Sequence, residues 1–241
     1  MRGDSRAARI VARSNGVYDR LFDGSREAVL TGRHRREEPP VDGGRWPATV
    51  VCIPAPSTRT SLERWMKEAC ELTGPGHFLT GRADANHVTV RALEPYRDAA
   101  SPADAASGAW ALAMRAAAVG TPPLRLHLTG VTLTAGSVMA QLEPVDDAPW
   151  AFMERLRAAL GEHAWYEDQW EPRNIWYVNI LHFAAPIADP AGLVRWVEAH
   201  RQVAAEEVVL GSVSLVRYRY QPSATGRLMA MESWGSAPFG G

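Results

Sequence analysis

The chain is poor in cysteine and lysine, in charge of one sign and in long apolar runs. Cys52 and Cys70 are its two cysteines, and their spacing fits neither a disulfide framework nor a metal motif. Lys67 is the only lysine among 26 basic residues, which balance 27 acidic ones to a net charge of −1. That balance excludes whole-chain attraction to nucleic acid or anionic membranes. No apolar stretch approaches membrane-spanning length, and the opening Met-Arg-Gly-Asp-Ser-Arg has no apolar signal core. A reduced, cytoplasmic protein without membrane contact is the expectation. What remains is ordinary for a globular chain of 241 residues: 46% hydrophobic and 22% charged.

An internal duplication is present. His87-Val-Thr-Val-Arg-Ala-Leu93 is answered 90 positions later by Tyr177-Val-Asn-Ile-Leu-His-Phe183. After the first stretch come Ser101-Pro102 and an Ala-rich helix to about Ala118; after the second come Asp189-Pro190 and a helix to His200. Ser101 and Asp189 are natural helix caps, and proline suits a helix start, where its missing amide costs nothing. Leu124 to Leu133, a turn at Ala135-Gly136 and Ser137 to Glu143 then match Val208 to Arg217, a turn around Gly226 and Arg227 to Ser233. Ahead of these, Ala48 to Pro54 reads as a strand. Ser57 or Thr58 starts a helix bearing Leu62, Trp65, Met66 and Ala69 on one side, and Ala148 to Gly161 is its counterpart.

The fold class expected is α+β: a bilobal, pseudo-twofold duplication of a strand–helix–strand–hairpin unit. Two antiparallel sheets flank a central cleft, with helices outside. Residues 46–236 form this domain. Residues 1–45, with nine arginines against four acids through Arg36, read as a basic extension and linker, with a short helix over Val17 to Leu30. Residues 237–241 read as a flexible tail.

Side chains alternate along a strand, so His87, Thr89 and Arg91 share one face, as do Tyr177 and Asn179. These polar faces are expected to meet across the cleft. His182 takes the opposite face, as a structural histidine, unless a bulge re-aims it. Leu124, Leu126 and Leu128 form a core face, leaving Arg125 and His127 as further candidates for the cleft. His77, His127 and His163 have no spacing of a metal triad. Trp165, Tyr166, Trp170 and Trp176 either stack on a planar ligand or pack, and alternation turns Trp176 toward the helices.

The paired His-x-Thr-x strands, the Leu128-Thr-Gly-Val131 hairpin ending in Gln141-Leu-Glu-Pro144, and the lead-in Trp170-Glu-Pro172 resemble the 2H phosphoesterase superfamily. That superfamily includes 2′-5′ RNA ligase and RNA cyclic phosphodiesterase proteins. The resemblance spans roughly residues 48 to 234. It implies two histidines acting as general base and acid on one phosphate, two threonines holding its oxygens, and no cofactor or metal. His87 and Thr89 match the first motif, whereas Tyr177 and Asn179 stand where the second requires histidine and threonine. Imidazole, with a pKa of about 6.5, suits either proton role; a phenol donates but is a poor base, and an amide still binds an oxyanion.

Three functions are expected. One is a metal-independent phosphodiesterase acting on a small nucleotide or cyclic phosphodiester, with His87 and Tyr177 catalytic and Thr89, Asn179, Arg91, Arg125 and His127 contacting substrate. Another is a non-catalytic binder of a nucleotide, an RNA end or another anion. The third is a cleft turned to small-molecule acid–base chemistry. The partner expected is a small phosphorylated ligand in the inter-lobe cleft, RNA being weakly supported, and the protein a monomer.

Overall fold

The computed structural model describes the backbone of residues 4–223 and 226–240 and the side chains from residue 16 on. The first three residues of the basic segment, the turn positions 224 and 225, and Gly241 lie outside the described residues. Among the described residues five helices, α1 (Asp4–Leu30), α2 (Pro56–Thr73), α3 (Ala105–Ala118), α4 (Ala148–Leu160) and α5 (Pro190–His200), accompany eight strands. The strands are β1 (Ala48–Cys52), β2 (Val88–Glu94), β3 (Leu124–Thr134), β4 (Ser137–Pro144), β5 (Trp176–His182), β6 (Glu206–Leu210), β7 (Ser212–Pro222) and β8 (Arg227–Pro238). Two short 3₁₀ turns, Gly161–Ala164 and Glu167–Gln169, precede β5.

The strands form two four-stranded antiparallel sheets, ordered β2-β1-β7-β8 and β5-β4-β3-β6. The expected bilobal α+β architecture is the one observed. The halves interleave: the β3–β4 hairpin of the first unit pairs with β5 of the second, and β7 of the β7–β8 hairpin of the second pairs with β1. The strand expected over Val208 to Arg217 divides at exposed Gly211, β6 joining one sheet and β7 the other. Phe78 ties the sheets together, exchanging backbone hydrogen bonds with His182 at 3.0 Å each way and bridging to Arg227.

Local sequence explains the helices. Leu62, Trp65, Met66 and Ala69 of α2 recur at helical spacing, and all are buried. Pro190 opens α5 and Asp189 accepts a bond from the Gly192 amide. The cap of α3 is Asp104, not Ser101, whose carbonyl instead accepts from Ser107.

The basic segment differs from a loose arm. Tyr18, Phe22 and Val29 of α1 are buried, because apolar residues recur along one face of a helix longer than the sequence suggested. Tyr18 donates its hydroxyl to the carbonyls of Leu142 (2.9 Å) and Trp176 (2.5 Å), and its own carbonyl accepts from Thr132. Tyr18 packs on Met139 and Ile175, with Tyr177 at the margin. The other terminus is also tied down: Phe239 is buried edge-on against Phe152, and Gly240 donates to the Thr121 carbonyl. No described helix is long and apolar enough to cross a membrane.

Candidate active site

His87, Thr89, Tyr177 and Asn179 line one cleft of about 470 Å³ between β2 and β5, within the size range of small-ligand sites. Alternation along each strand brings them there, but only as far as a shared irregularity. Val51 pairs with Thr89 and Val50 with Arg91, so Val90 is an extra residue in β2. Met139 pairs with Asn179 and Val138 with Leu181, so Ile180 is the extra residue in β5. The two bulges lie 90 positions apart, at equivalent places in the duplication. Each reverses the parity of the residues after it.

The bulges correct two expectations. Arg91 leaves the cleft: it is buried, donates to the Ala164 carbonyl at 2.8 Å and pairs with Asp168, bracing the 3₁₀ turns. Ala92 takes its place at the cleft wall. His182, expected on the far face, turns into the cleft. It is 5% exposed, with its ring edge-on to Trp46 at 5.1 Å. Arg125 and His127 do share a sheet face with Tyr177, but two strands away, roughly 10 Å. Neither lines the cleft: α1 covers that face at Thr132 and Met139, and Arg125 pairs with Glu207 at 2.6 Å.

His87 has a defined tautomer. Its Nδ1 lies 2.9 Å from the Ala85 carbonyl, which can only accept, so Nδ1 carries the proton. Nε2 then accepts from the Tyr218 hydroxyl at 2.7 Å. Burial lowers the pKa of His87, with the Ala85 bond opposing, and burial raises that of Tyr218. Both are therefore neutral near pH 7.

Across the cleft, the Ala92 amide donates to Glu167 (2.6 Å), Glu167 pairs with Arg173 (3.0 Å), and Arg173 donates to the Tyr177 oxygen (3.1 Å). With that oxygen accepting, the Tyr177 hydroxyl proton is free to point into the cleft. Among the described residues the Thr89 hydroxyl has no hydrogen-bond partner, and the Asn179 side-chain oxygen is buried without one. A buried polar atom is rarely left unpaired, so the Asn179 oxygen suits a donor on a ligand, and the half-buried Thr89 hydroxyl is free to donate to one.

Among the cationic and phenolic cleft residues, Arg35, Arg45, Arg173 and Tyr218 escaped the sequence reading. No carboxylate is among the lining residues, so the cleft favours anions. Tyr166 and exposed Trp170 form an aromatic wall, their rings edge-to-face at 4.7 Å, whereas Trp176 is buried in the core. Among the described residues no group of three or more His, Cys, Asp or Glu side chains could hold a metal ion.

Burial also lowers the pKa of His77 and, most strongly, of His182, where Arg45 adds to the effect. The unfolded chain takes up protons near pH 6.5, before the folded one does, so acid favours unfolding. Stability is expected to fall as pH drops from about 6.5 toward the depressed folded values. Chemical denaturation at a series of pH values reads this, and a flat profile between 7 and about 5 would refute it.

No family model matches the chain, and no curated protein matches it in sequence. Solved structures do match in fold. TT0787 of Thermus thermophilus shares 15% identity over 79% of this chain and 96% of that one, with a TM-score of 0.55. E. coli LigT complexed with 3′-AMP gives 10% identity over 81% and 99%, with a TM-score of 0.53. A structure described as a phosphoesterase gives 11% identity over 81% and 99%, with a TM-score of 0.51. The class is thereby defined: a bilobal α+β protein of the LigT-like, phosphoesterase-type fold. That is the fold implied by the resemblance to the 2H phosphoesterase superfamily.

Proposed function

We propose that this protein is a metal-independent phosphodiesterase of the 2H type, acting on a small nucleotide or cyclic phosphodiester at an asymmetric His/Tyr site. The observation that carries the reading is the convergence of His87, Thr89, Tyr177 and Asn179 on one anion-favouring cleft. The complex of E. coli LigT with 3′-AMP supports a nucleotide-like ligand for the same fold. The catalytic unit is a cytoplasmic monomer built on residues 46–236 and completed by the preceding segment, whose α1 joins the core and whose Arg35 and Arg45 line the cleft.

In this reading the Thr89 hydroxyl and the side-chain amide N–H of Asn179 donate to the non-bridging oxygens. Water attacks phosphorus while its proton passes to the Tyr218 oxygen, as Tyr218 gives its own proton to Nε2 of His87. The phosphorus–oxygen bond to the leaving group breaks, and that oxygen takes the Tyr177 proton. Arg173, already bonded to the Tyr177 oxygen, offsets the charge left there. The proton on His87 then returns to Tyr177 through solvent.

A panel of 2′,3′-cyclic and linear nucleotide phosphodiesters, assayed with and without chelator, tests the proposal. Turnover that survives the chelator is expected; absence of turnover across the panel would sink it. One observation favours a binder as the second reading: both ring nitrogens of His87 are already bonded within the protein. That reading predicts binding of 3′-AMP without turnover, and hydrolysis gained on combining Tyr177→His with Asn179→Thr.

A further inference from the structure

We infer that Arg35, Arg45 and His182 form a second anion subsite at one end of the cleft, so that the preferred ligand is a nucleotide with two phosphoryl groups. The inference rests on the cleft being the ligand site, as proposed above, but not on turnover.

The segment from His34 to Trp46 is a strap that passes His182, held to the second lobe near Arg35 and to Tyr96, just after β2, near Arg45. The Arg35 amide donates to the Ala135 carbonyl at 2.7 Å and the Glu37 amide to the Phe183 carbonyl at 2.6 Å. His34 Nε2 bonds the Ala185 carbonyl at 2.9 Å. The guanidinium of Arg35 lies over Gly136, where even a Cβ would meet it at 2.8 Å, so the glycine makes its room. Arg45 is set by Glu37 at 2.5 Å. Both arginine side chains are exposed to the cleft they line.

Between them His182 is held nine-tenths buried, yet its ring has no hydrogen-bond partner among the described residues. Charged and titratable groups face it from Arg35 and Arg45 of the strap, His87 of β2, Tyr218 of β7 and Tyr177 of its own strand; Trp46 and Phe78 contribute no charge. A buried imidazole beside two cations stays neutral until an anion arrives, and an anion would bring a proton with it.

The subsite is distinct from the Thr89–Asn179 cradle. The Arg35 guanidinium lies over Gly136, three positions along the chain from Met139, the strand partner of Asn179, on the order of 10 Å. One phosphate cannot reach both, whereas a nucleoside carries phosphates at its 3′ and 5′ positions with the sugar between them.

Calorimetry on the full chain, with adenosine 3′-monophosphate and adenosine 3′,5′-bisphosphate, tests this near neutral pH in two buffers of different ionisation heat. The bisphosphate is expected to bind about tenfold tighter, the effect of one charge-assisted contact. That preference should collapse toward unity in both Arg35→Ala and Arg45→Ala, whose exposed side chains leave the core intact. Proton uptake on binding the bisphosphate should be lost in His182→Asn. Equal affinity for the two ligands, or a preference that survives both arginine substitutions, would overturn the subsite. A protein that hydrolyses diesters without such a preference keeps its proposed activity and loses this inference. One that shows the preference without turnover keeps the inference and loses the activity.

Discussion

Replacing His87 by alanine is expected to lower kcat for a phosphodiester by roughly 10²–10⁴-fold, the usual contribution of a positioned acid–base group. The Ala85 carbonyl fixes the Nδ1 proton, so Nε2 is the only basic nitrogen of that ring, and it meets the Tyr218 hydroxyl at the cleft wall. Removing the imidazole leaves Tyr218 with no acceptor for its proton, and its burial disfavours the phenolate that would otherwise have to form. KM should change much less than kcat, because Thr89, Asn179 and the cleft arginines remain. The pH profile adds a sign. The base works only when neutral, so turnover should fall as pH drops through the pKa of His87, which burial places below 6.5. An acid limb at or above 6.5 that persists in His87→Ala would assign the proton transfer to another group. Undiminished turnover in the variant would remove His87 from the chemistry.

The cleft was legible in the sequence because it depends on periodicity, and a duplication repeats its periodicity. His87, Thr89, Tyr177 and Asn179 lie before the bulges, where alternation still holds, and all four line the cleft. Arg91 and His182 lie after them, and both take the face opposite to the one their parity suggests. A bulge of this kind carries no residue signature: Val90 and Ile180 are ordinary strand residues. The equivalent position of Ile180 in the second copy would have been a clue only once Val90 was known. Arg125 and His127 stood on the correct face, but strand alternation says nothing of what covers that face, and here α1 does. Arg35 and Arg45 could not be placed by pattern at all, since a strap has no period and reaches its site through backbone bonds to distant segments at Tyr96, Ala135 and Phe183.

The role of α1 leads to the second large effect: Phe22→Ala is expected to destabilise the protein by about 3–5 kcal/mol, the range for truncating a buried aromatic. Phe22 is 1% exposed and belongs to the main core, although it sits in a segment whose composition reads as a solvated basic arm. The Arg201 guanidinium lies over its ring at 4.4 Å, and Arg201 pairs with Asp19 one helical turn back, so the α5 end and α1 grip each other through one side chain. Deleting the ring therefore opens a cavity and removes the surface on which Arg201 rests. For a chain of this length the loss corresponds to a drop in Tm of about 10 °C. The contrast with composition is what makes the measurement decisive. A charged, loosely attached helix would tolerate alanine within about 0.5 kcal/mol, as surface substitutions do. Such tolerance would mean that α1 contributes little to the fold. A large loss would instead mean that the second-lobe sheet depends on α1 for its cover, and that the strap beyond it starts from a fixed point.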